Sequence, residues 1–147
     1  MKIGIISDHR GYHLKKDIIN TLIEYNLVDL GTDTEDANAV DYPDYAFLLG
    51  EKISNKELDL GVAICGTGIG ICIALNKVKK IRCAKVDNID DVIATKSHNN
   101  ANVISFNATT TLDEAKAYIK NFIETPFSNE ERHKRRIDKI TQYEEEN

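Results

Sequence analysis

The chain predicts an α/β protein: a three-layer α/β/α sandwich around a five-stranded parallel sheet of Rossmann-like, flavodoxin-like kind. Three observations point there. Short apolar or β-branched runs recur five times, at residues 2–7, 27–30, 58–64, 82–86 and 102–106. Each leads into a stretch with helical spacing or helix-start chemistry, the alternation that builds a parallel sheet between helical layers. Glycine and polar residues gather where the runs end, the sheet edge at which open α/β folds hold ligands. At 147 residues, the expectation is one domain, 1–147, with a helical tail from about residue 128, burying about two-thirds of its unfolded surface.

The first run breaks into Asp8-His9-Arg10-Gly11, and a helical pattern follows with Leu14, Ile18, Leu22 and Ile23 on one face. Asp8 and His9 therefore end the first strand, where Asp8 reads either as a helix cap or as a site carboxylate. The second run stops at Gly31, and 32–39 is an acidic, polar loop. Asp41-Tyr42-Pro43-Asp44 opens the next helix, with proline in its first turn. Tyr42, held extended by the proline after it, either packs or points into a site.

The third run leads into Ile64-Cys65-Gly66-Thr67-Gly68-Ile69-Gly70, and a helical pattern resumes from Ile71 to residue 78. Glycines at 66, 68 and 70 allow a tight turn whose N–H groups point outward near a helix start, a setting that suits an anion or a developing oxyanion. Cys65 stands at the mouth of that turn, where unpaired amides favour its thiolate. A base and an oxyanion cradle thus share one loop. It is no Walker loop, because Ile71 and Cys72 stand where Lys-Ser/Thr is needed. The glycine spacing also misses the dinucleotide fingerprint, and no arginine follows Cys65 as a cysteine phosphatase loop requires.

Arg82 starts the fourth run; Asp87-Asn88 opens a helix from about 89 to 96 that ends in polar Ser97-His98-Asn99-Asn100. His98 suits a site better than a core there. After the fifth run, residues 110–123 place Leu112, Ala115, Ile119 and Phe122 on one helical stripe. The tail carries Arg132 and Arg136, four apart on one helical face, which reads as a solvated surface or as a phosphate clamp.

A net charge of −5 and a pI near 5.4 argue against nucleic acid as a partner. No apolar run of about 18 residues predicts a membrane span and no leader is evident, so a cytoplasmic protein is expected. Cys72 and Cys83 fall on apolar positions and read as core thiols in a reducing compartment. The three cysteines and four histidines lack paired metal-ligand spacing. No metal and no organic cofactor are expected; Asp8, His9 and His13 form the one candidate cluster.

Taken together, Ser7-Asp8-His9-Arg10-Gly11, Asp41-Tyr42-Pro43, Ile64 to Gly70, Asn76-Lys77, His98-Asn99-Asn100-Ala101-Asn102-Val103 and Arg132-His133 with Arg136 resemble the type B ribose-5-phosphate isomerases and the related galactose-6-phosphate isomerase subunits. The resemblance runs from residue 2 to about 140 and implies aldose–ketose isomerisation of a sugar phosphate, ribose 5-phosphate first, without metal or cofactor. It implies that Cys65 is the base moving a proton between C1 and C2, and that Thr67 with the amides of Gly66, Gly68, Ile69 and Gly70 supports the enediolate. His98, helped by Asp8, would open the sugar ring; His9, Tyr42 and Asn99 would hold substrate; Arg132 and Arg136 would grip phosphate. It further implies homodimers, sometimes paired into tetramers, with sites shared between subunits. Two departures bear on phosphate binding. Asn107-Ala108-Thr109 stands where many relatives carry an arginine, and Glu130-Glu131 where they carry glycines. A six-carbon sugar phosphate, or a non-catalytic phosphosugar-binding subunit, remains the alternative.

Overall fold

The computed structural model describes residues 1–36, 38 and 40–147; Ala37 and Ala39 of the expected acidic loop lie outside the described residues. The strands are β1 (Ile3–Ser7), β2 (Val28–Asp29), β3 (Leu60–Cys65), β4 (Cys83–Lys85) and β5 (Val103–Asn107). The helices are α1 (Tyr12–Thr21), α2 (Tyr42–Ser54), α3 (Ile69–Leu75), α4 (Ile89–Ser97), α5 (Leu112–Glu124) and α6 (Glu131–Glu146). All strand pairings are parallel and the sheet order is β2-β1-β3-β5-β4.

The α/β class with its five-stranded parallel sheet holds; the sequence leaves the strand order open, and relative to the flavodoxin order 2-1-3-4-5 the last two strands are exchanged. Side-chain chemistry explains the exchange. Val103, Ile104, Ser105 and Phe106 are buried on both faces of β5, as an interior parallel strand requires, whereas all three residues of β4 are only half-buried. The shorter, more polar strand takes the edge.

Alternation along the strands divides the core into two layers. Ile3, Ile5, Val62, Ile64, Ile104 and Phe106 face α1, α4 and α5; Ile6, Ala63, Cys65 and Val103 face α2 and α3. Gly4 and Gly61 are register partners, and a Cβ on either would stand 2.7 Å or 2.9 Å from the Leu49 side chain. Their bare backbones let α2 lie close against the sheet.

Two local expectations change. Ile23 was placed on the buried face of the first helix, but α1 ends at Thr21 and Ile23 is 76% exposed in a 3₁₀ turn. The second strand has only two residues, both exposed. A buried cation holds it: Lys15 Nζ, from the hidden side of α1, donates to Asp29 Oδ1 at 2.5 Å and to the Thr32 carbonyl at 2.8 Å.

After α5 the chain crosses to α4, where Ser128 N–H donates to the Ser97 carbonyl at 3.0 Å. From there α6 extends with only His133 buried. Among the described residues no helix is long and apolar enough to cross a membrane.

Candidate active site

The parallel register sets the C-terminal ends of β1, β3 and β5 side by side, with Ser7 opposite Ile64 and Cys65 opposite Asn107. Asp8 N–H donates to the Ile64 carbonyl at 3.0 Å, and Ala108 N–H to that of Cys65 at 2.9 Å. Cys65 is therefore held from both flanks, 4% exposed, where β3 turns into the glycine loop.

The loop closes back on the thiol. Gly68, in the left-handed region at φ 78°, donates its N–H to Cys65 Sγ at 3.1 Å. A Cβ there would also meet the Phe106 backbone at 2.7 Å, so glycine is required twice over. Ser105, fully buried on β5, donates its hydroxyl to the Gly68 carbonyl at 2.8 Å and anchors the turn. Thr67 Oγ1 accepts from Ile69 N–H at 3.1 Å, which leaves its own proton to give.

Asp8 borders the same place, 6% exposed, with Oδ1 accepting from Arg10 N–H at 2.9 Å and Gly11 N–H at 3.0 Å. It is not the cap of α1; Gly11 is, without a side-chain bond. His9 Nδ1 is buried and has no partner among the described residues. The Tyr42 ring lies over Gly70, where a Cβ would come within 2.7 Å of its Oη. Asp8, His9, Arg10, Tyr42, Cys65, Gly66, Thr67 and Gly70 line a hollow of about 350 Å³. Asp8, His9 and Tyr42 also border a second hollow, of about 540 Å³, that reaches Asp44. Ile69 turns outward, 52% exposed.

The remaining expected site residues form a second group. His98 caps the end of α4, and its ring stacks on His133 of α6 with centroids 4.5 Å apart and planes at 11°. Burial first, then His98 and Arg132, hold the His133 imidazole below its ordinary pKa. Asn99 is exposed, and its carbonyl accepts from Arg82 Nε at 2.9 Å while Arg82 Nη2 reaches the Asn100 carbonyl at 2.7 Å. Arg132 and Arg136 share the exposed face of α6; Arg132 Nε pairs with Glu130 Oε2 at 3.0 Å.

Topology keeps these groups apart within one chain. α4 returns the chain to the start of β5, whose Val103 lies opposite Gly61, whereas Cys65 lies opposite Asn107. At ~3.3 Å per residue, ~13 Å of strand separates those two levels. His98 precedes Val103 and so lies toward the far edge of the sheet. The Cys65 hollow includes none of His98, Asn99, Arg132 or Arg136.

Two placements bear on the candidate metal cluster and on the expected core thiols. His13 bonds the exposed Glu35 at 2.5 Å instead of joining Asp8 and His9, and among the described residues no three His, Cys, Asp or Glu could hold a metal ion. Cys72 and Cys83 are half-buried neighbours; Cys83 packs against the core layer under α2 and α3, as expected, and Cys72 is not part of that core. Hydrogen bonding to Cys83 pulls the Cys72 thiol down to about 7, and the same contact pushes Cys83 up.

A cysteine beside a glycine loop at this sheet edge occurs in a chain that one known family model matches over most of its length. That model, of the ribose/galactose isomerases, covers residues 3–140. The chain belongs to that family. Among its ribose/galactose isomerase relatives, ribose-5-phosphate isomerase B of Mycobacterium tuberculosis is 35% identical over 147 residues, covering 98% of this chain and 90% of the relative. The Clostridium thermocellum ribose-5-phosphate isomerase B structure superposes with a TM-score of 0.93 at 38% identity, covering 99% of both chains. The Mycoplasma genitalium ribose-5-phosphate isomerase B structure, with bound ribulose-5-phosphate, gives 0.92 at 43% identity, covering 99% of this chain and 97% of that one.

Sequence reasoning assigned no role to Ser105, His133, Arg82 or Arg10 in this isomerase-family site. The signal for Ser105 was a lone hydroxyl within the apolar run Val103-Ile104-Ser105-Phe106. A buried hydroxyl needs a partner, and here the partner is the Gly68 carbonyl of the glycine loop.

Proposed function

We propose that the protein interconverts ribose 5-phosphate and ribulose 5-phosphate by proton transfer, as a cytoplasmic enzyme whose sites are shared between two subunits. The observation that carries the reading is the Gly68 N–H aimed at Cys65 Sγ at 3.1 Å, because it fixes the sulfur at the mouth of the glycine loop, where a base and oxyanion donors can meet one substrate. On the open-chain aldose, the Cys65 thiolate takes the C2 proton, and the electron pair forms the C1–C2 double bond of an enediolate with its charge on O1. The thiol returns the proton to C1, a proton passes from O2 to O1, and the ketose carbonyl stands at C2. Nothing is oxidised or reduced overall.

The surrounding residues take roles that suit their positions. Thr67 and the amides of Gly66 and Gly70 face the oxygens on which charge develops, while the Gly68 N–H holds Cys65 Sγ and the Ile69 N–H orients Thr67 Oγ1. Asp8, His9 and Tyr42 border the hollow and hold sugar hydroxyls. His98, with Asp8, moves the proton that opens the furanose ring; Asn99 holds substrate beside it, and Arg132 and Arg136 receive the phosphate.

For these groups to act on one molecule, the His98 edge of one subunit must meet the Cys65 edge of another. Exposed Tyr42, Ile69 and Ile73 around the Cys65 hollow offer apolar surface for that contact. A two-fold dimer then holds two equivalent mixed sites. The single domain 1–147 needs no added cofactor for this chemistry, and its unpaired cysteines suit a reducing compartment.

The test is turnover by the purified protein of ribose 5-phosphate, allose 6-phosphate and galactose 6-phosphate, followed in deuterated water. The expected outcome is the highest kcat/KM for ribose 5-phosphate, with solvent deuterium on the ketose C1. Preference for a six-carbon substrate would reassign the sugar, and binding without turnover of any of them would make the chain a non-catalytic subunit.

A further inference from the structure

The hollow that holds Cys65 contains a permanent cation to which the mechanism gives no task. Arg10 follows His9 on the turn leaving β1, and its N–H, tied to Asp8 Oδ1 at 2.9 Å, fixes the point from which its side chain departs. That side chain runs across Gly66: a Cβ on Gly66 would stand 3.0 Å from both Arg10 Cδ and Arg10 Nη1. Gly66 has no left-handed φ that calls for glycine. What occupies the space a side chain would fill is the guanidinium.

The charge is also unspent. Among the described residues no carboxylate lies within ion-pair distance of Arg10, and its guanidinium makes no hydrogen bond. On α6, by contrast, Arg132 is already held by Glu130 at 3.0 Å and Arg135 by Glu131 at 2.6 Å. No other lysine or arginine lines the Cys65 hollow. Arg10 is exposed at the mouth, whereas Cys65 is buried at the floor. The loop amides serve the reacting oxygens at depth, which leaves a planar, two-pronged cation at the rim, suited to a phosphate dianion.

We propose that Arg10 binds the phosphate of the sugar substrate, a clamp supplied by the subunit that carries Cys65 and acting with Arg132 and Arg136 of the other. The inference rests on the reading that the substrate is a phosphorylated sugar. Gly66 has a second task in it, to leave room for Arg10.

Kinetics of Arg10→Ala, Arg10→Lys and Gly66→Ala with ribose 5-phosphate, together with calorimetric titration of inorganic phosphate, test the assignment. Arg10→Ala should raise KM and weaken inorganic phosphate binding by about tenfold or more, the scale of a charged hydrogen bond, with the loss on KM rather than kcat. Arg10→Lys, which keeps the charge and not the fork, should fall between. Gly66→Ala, whose methyl displaces the guanidinium, should weaken phosphate binding in the same direction. Unchanged phosphate affinity in Arg10→Ala overturns the proposal, and so does a fall in kcat alone, which would set the guanidinium on the enediolate instead. If the wild-type protein turned over no sugar phosphate, the functional reading would fail, while phosphate titration would still judge Arg10.

Discussion

Gly68 gives its backbone N–H to Cys65 Sγ at 3.1 Å, and Ser105 from the neighbouring strand holds the Gly68 carbonyl at 2.8 Å. One peptide position thus links the proposed base to a buried anchor on β5. The reading of Cys65 as an acting group, and not a packed thiol, depends on this connection.

Cys65→Ala should lower kcat by about two decades or more, the usual scale for a positioned acid–base group, with the melting temperature close to that of the wild type. Cys72→Ala, which removes a thiol outside the hollow, should retain turnover. Steady-state kinetics beside thermal melts check both. Near-normal turnover by Cys65→Ala would reduce the glycine loop to a structural turn.

Ser105→Ala leaves the buried Gly68 carbonyl without its partner and should lower stability by about 1–3 kcal/mol. Because the loss falls on the turn that aims the Gly68 N–H, kcat should fall as well, with KM less affected. Denaturant titration and kinetics on the same preparation measure the two effects. A stability loss with full kcat would mean that Ser105 supports the fold but not the base.

The loop and the helical stripes were legible because glycine spacing and apolar periodicity carry local physics directly. Strand order was less so. Nothing in the local pattern of residues 82–86 says that the chain skips past β3 and returns through β5; relative burial of the two finished strands decides it. Ile23 had helical spacing from Ile18, but the helix had already ended at Thr21. Nothing local marks Lys15 as buried; the carboxylate of Asp29 and the Thr32 carbonyl make its complete burial tolerable. The resemblance implied a site shared between subunits, and the register of β3 on β5, which sets Cys65 and His98 toward opposite ends of the strands in one chain, supplies a geometric reason for that expectation.

On the proposal that Arg132 receives the phosphate, Glu130 is its competitor, with a carboxylate 3.0 Å from Arg132 Nε. Glu130→Gln should release that guanidinium and lower KM for ribose 5-phosphate a few-fold, while Arg132→Ala and Arg136→Ala raise it. The improvement should shrink as salt rises, because the groups are exposed. A KM unaffected by all three substitutions would leave α6 a solvated helix.

His133 predicts an acid limit to stability. Its pKa is depressed in the folded chain by burial, then by His98 and Arg132, with Arg136 adding to the effect and Glu130 opposing it. The unfolded chain therefore binds the proton more readily. Stability is fully present above the ordinary histidine value of 6.5 and is lost as the pH falls through the depressed folded value. Thermal melts from pH 7.5 down to pH 5 should show this loss, and His133→Asn should flatten the profile. An unchanged slope in His133→Asn would assign the acid limit to another group.

On the proposed mechanism Cys65 of one subunit and His98 of another complete one site, which subunit exchange can reveal. Cys65→Ala and His98→Asn proteins, each inactive alone, are mixed under conditions that exchange subunits, and turnover of ribose 5-phosphate is followed while native mass spectrometry counts the heterodimers. Random exchange makes about half the dimers mixed, each with one intact site of two, so roughly a quarter of wild-type activity should return. Heterodimers that form and stay inactive would overturn the shared site, placing Cys65 and His98 in the same site of a single chain.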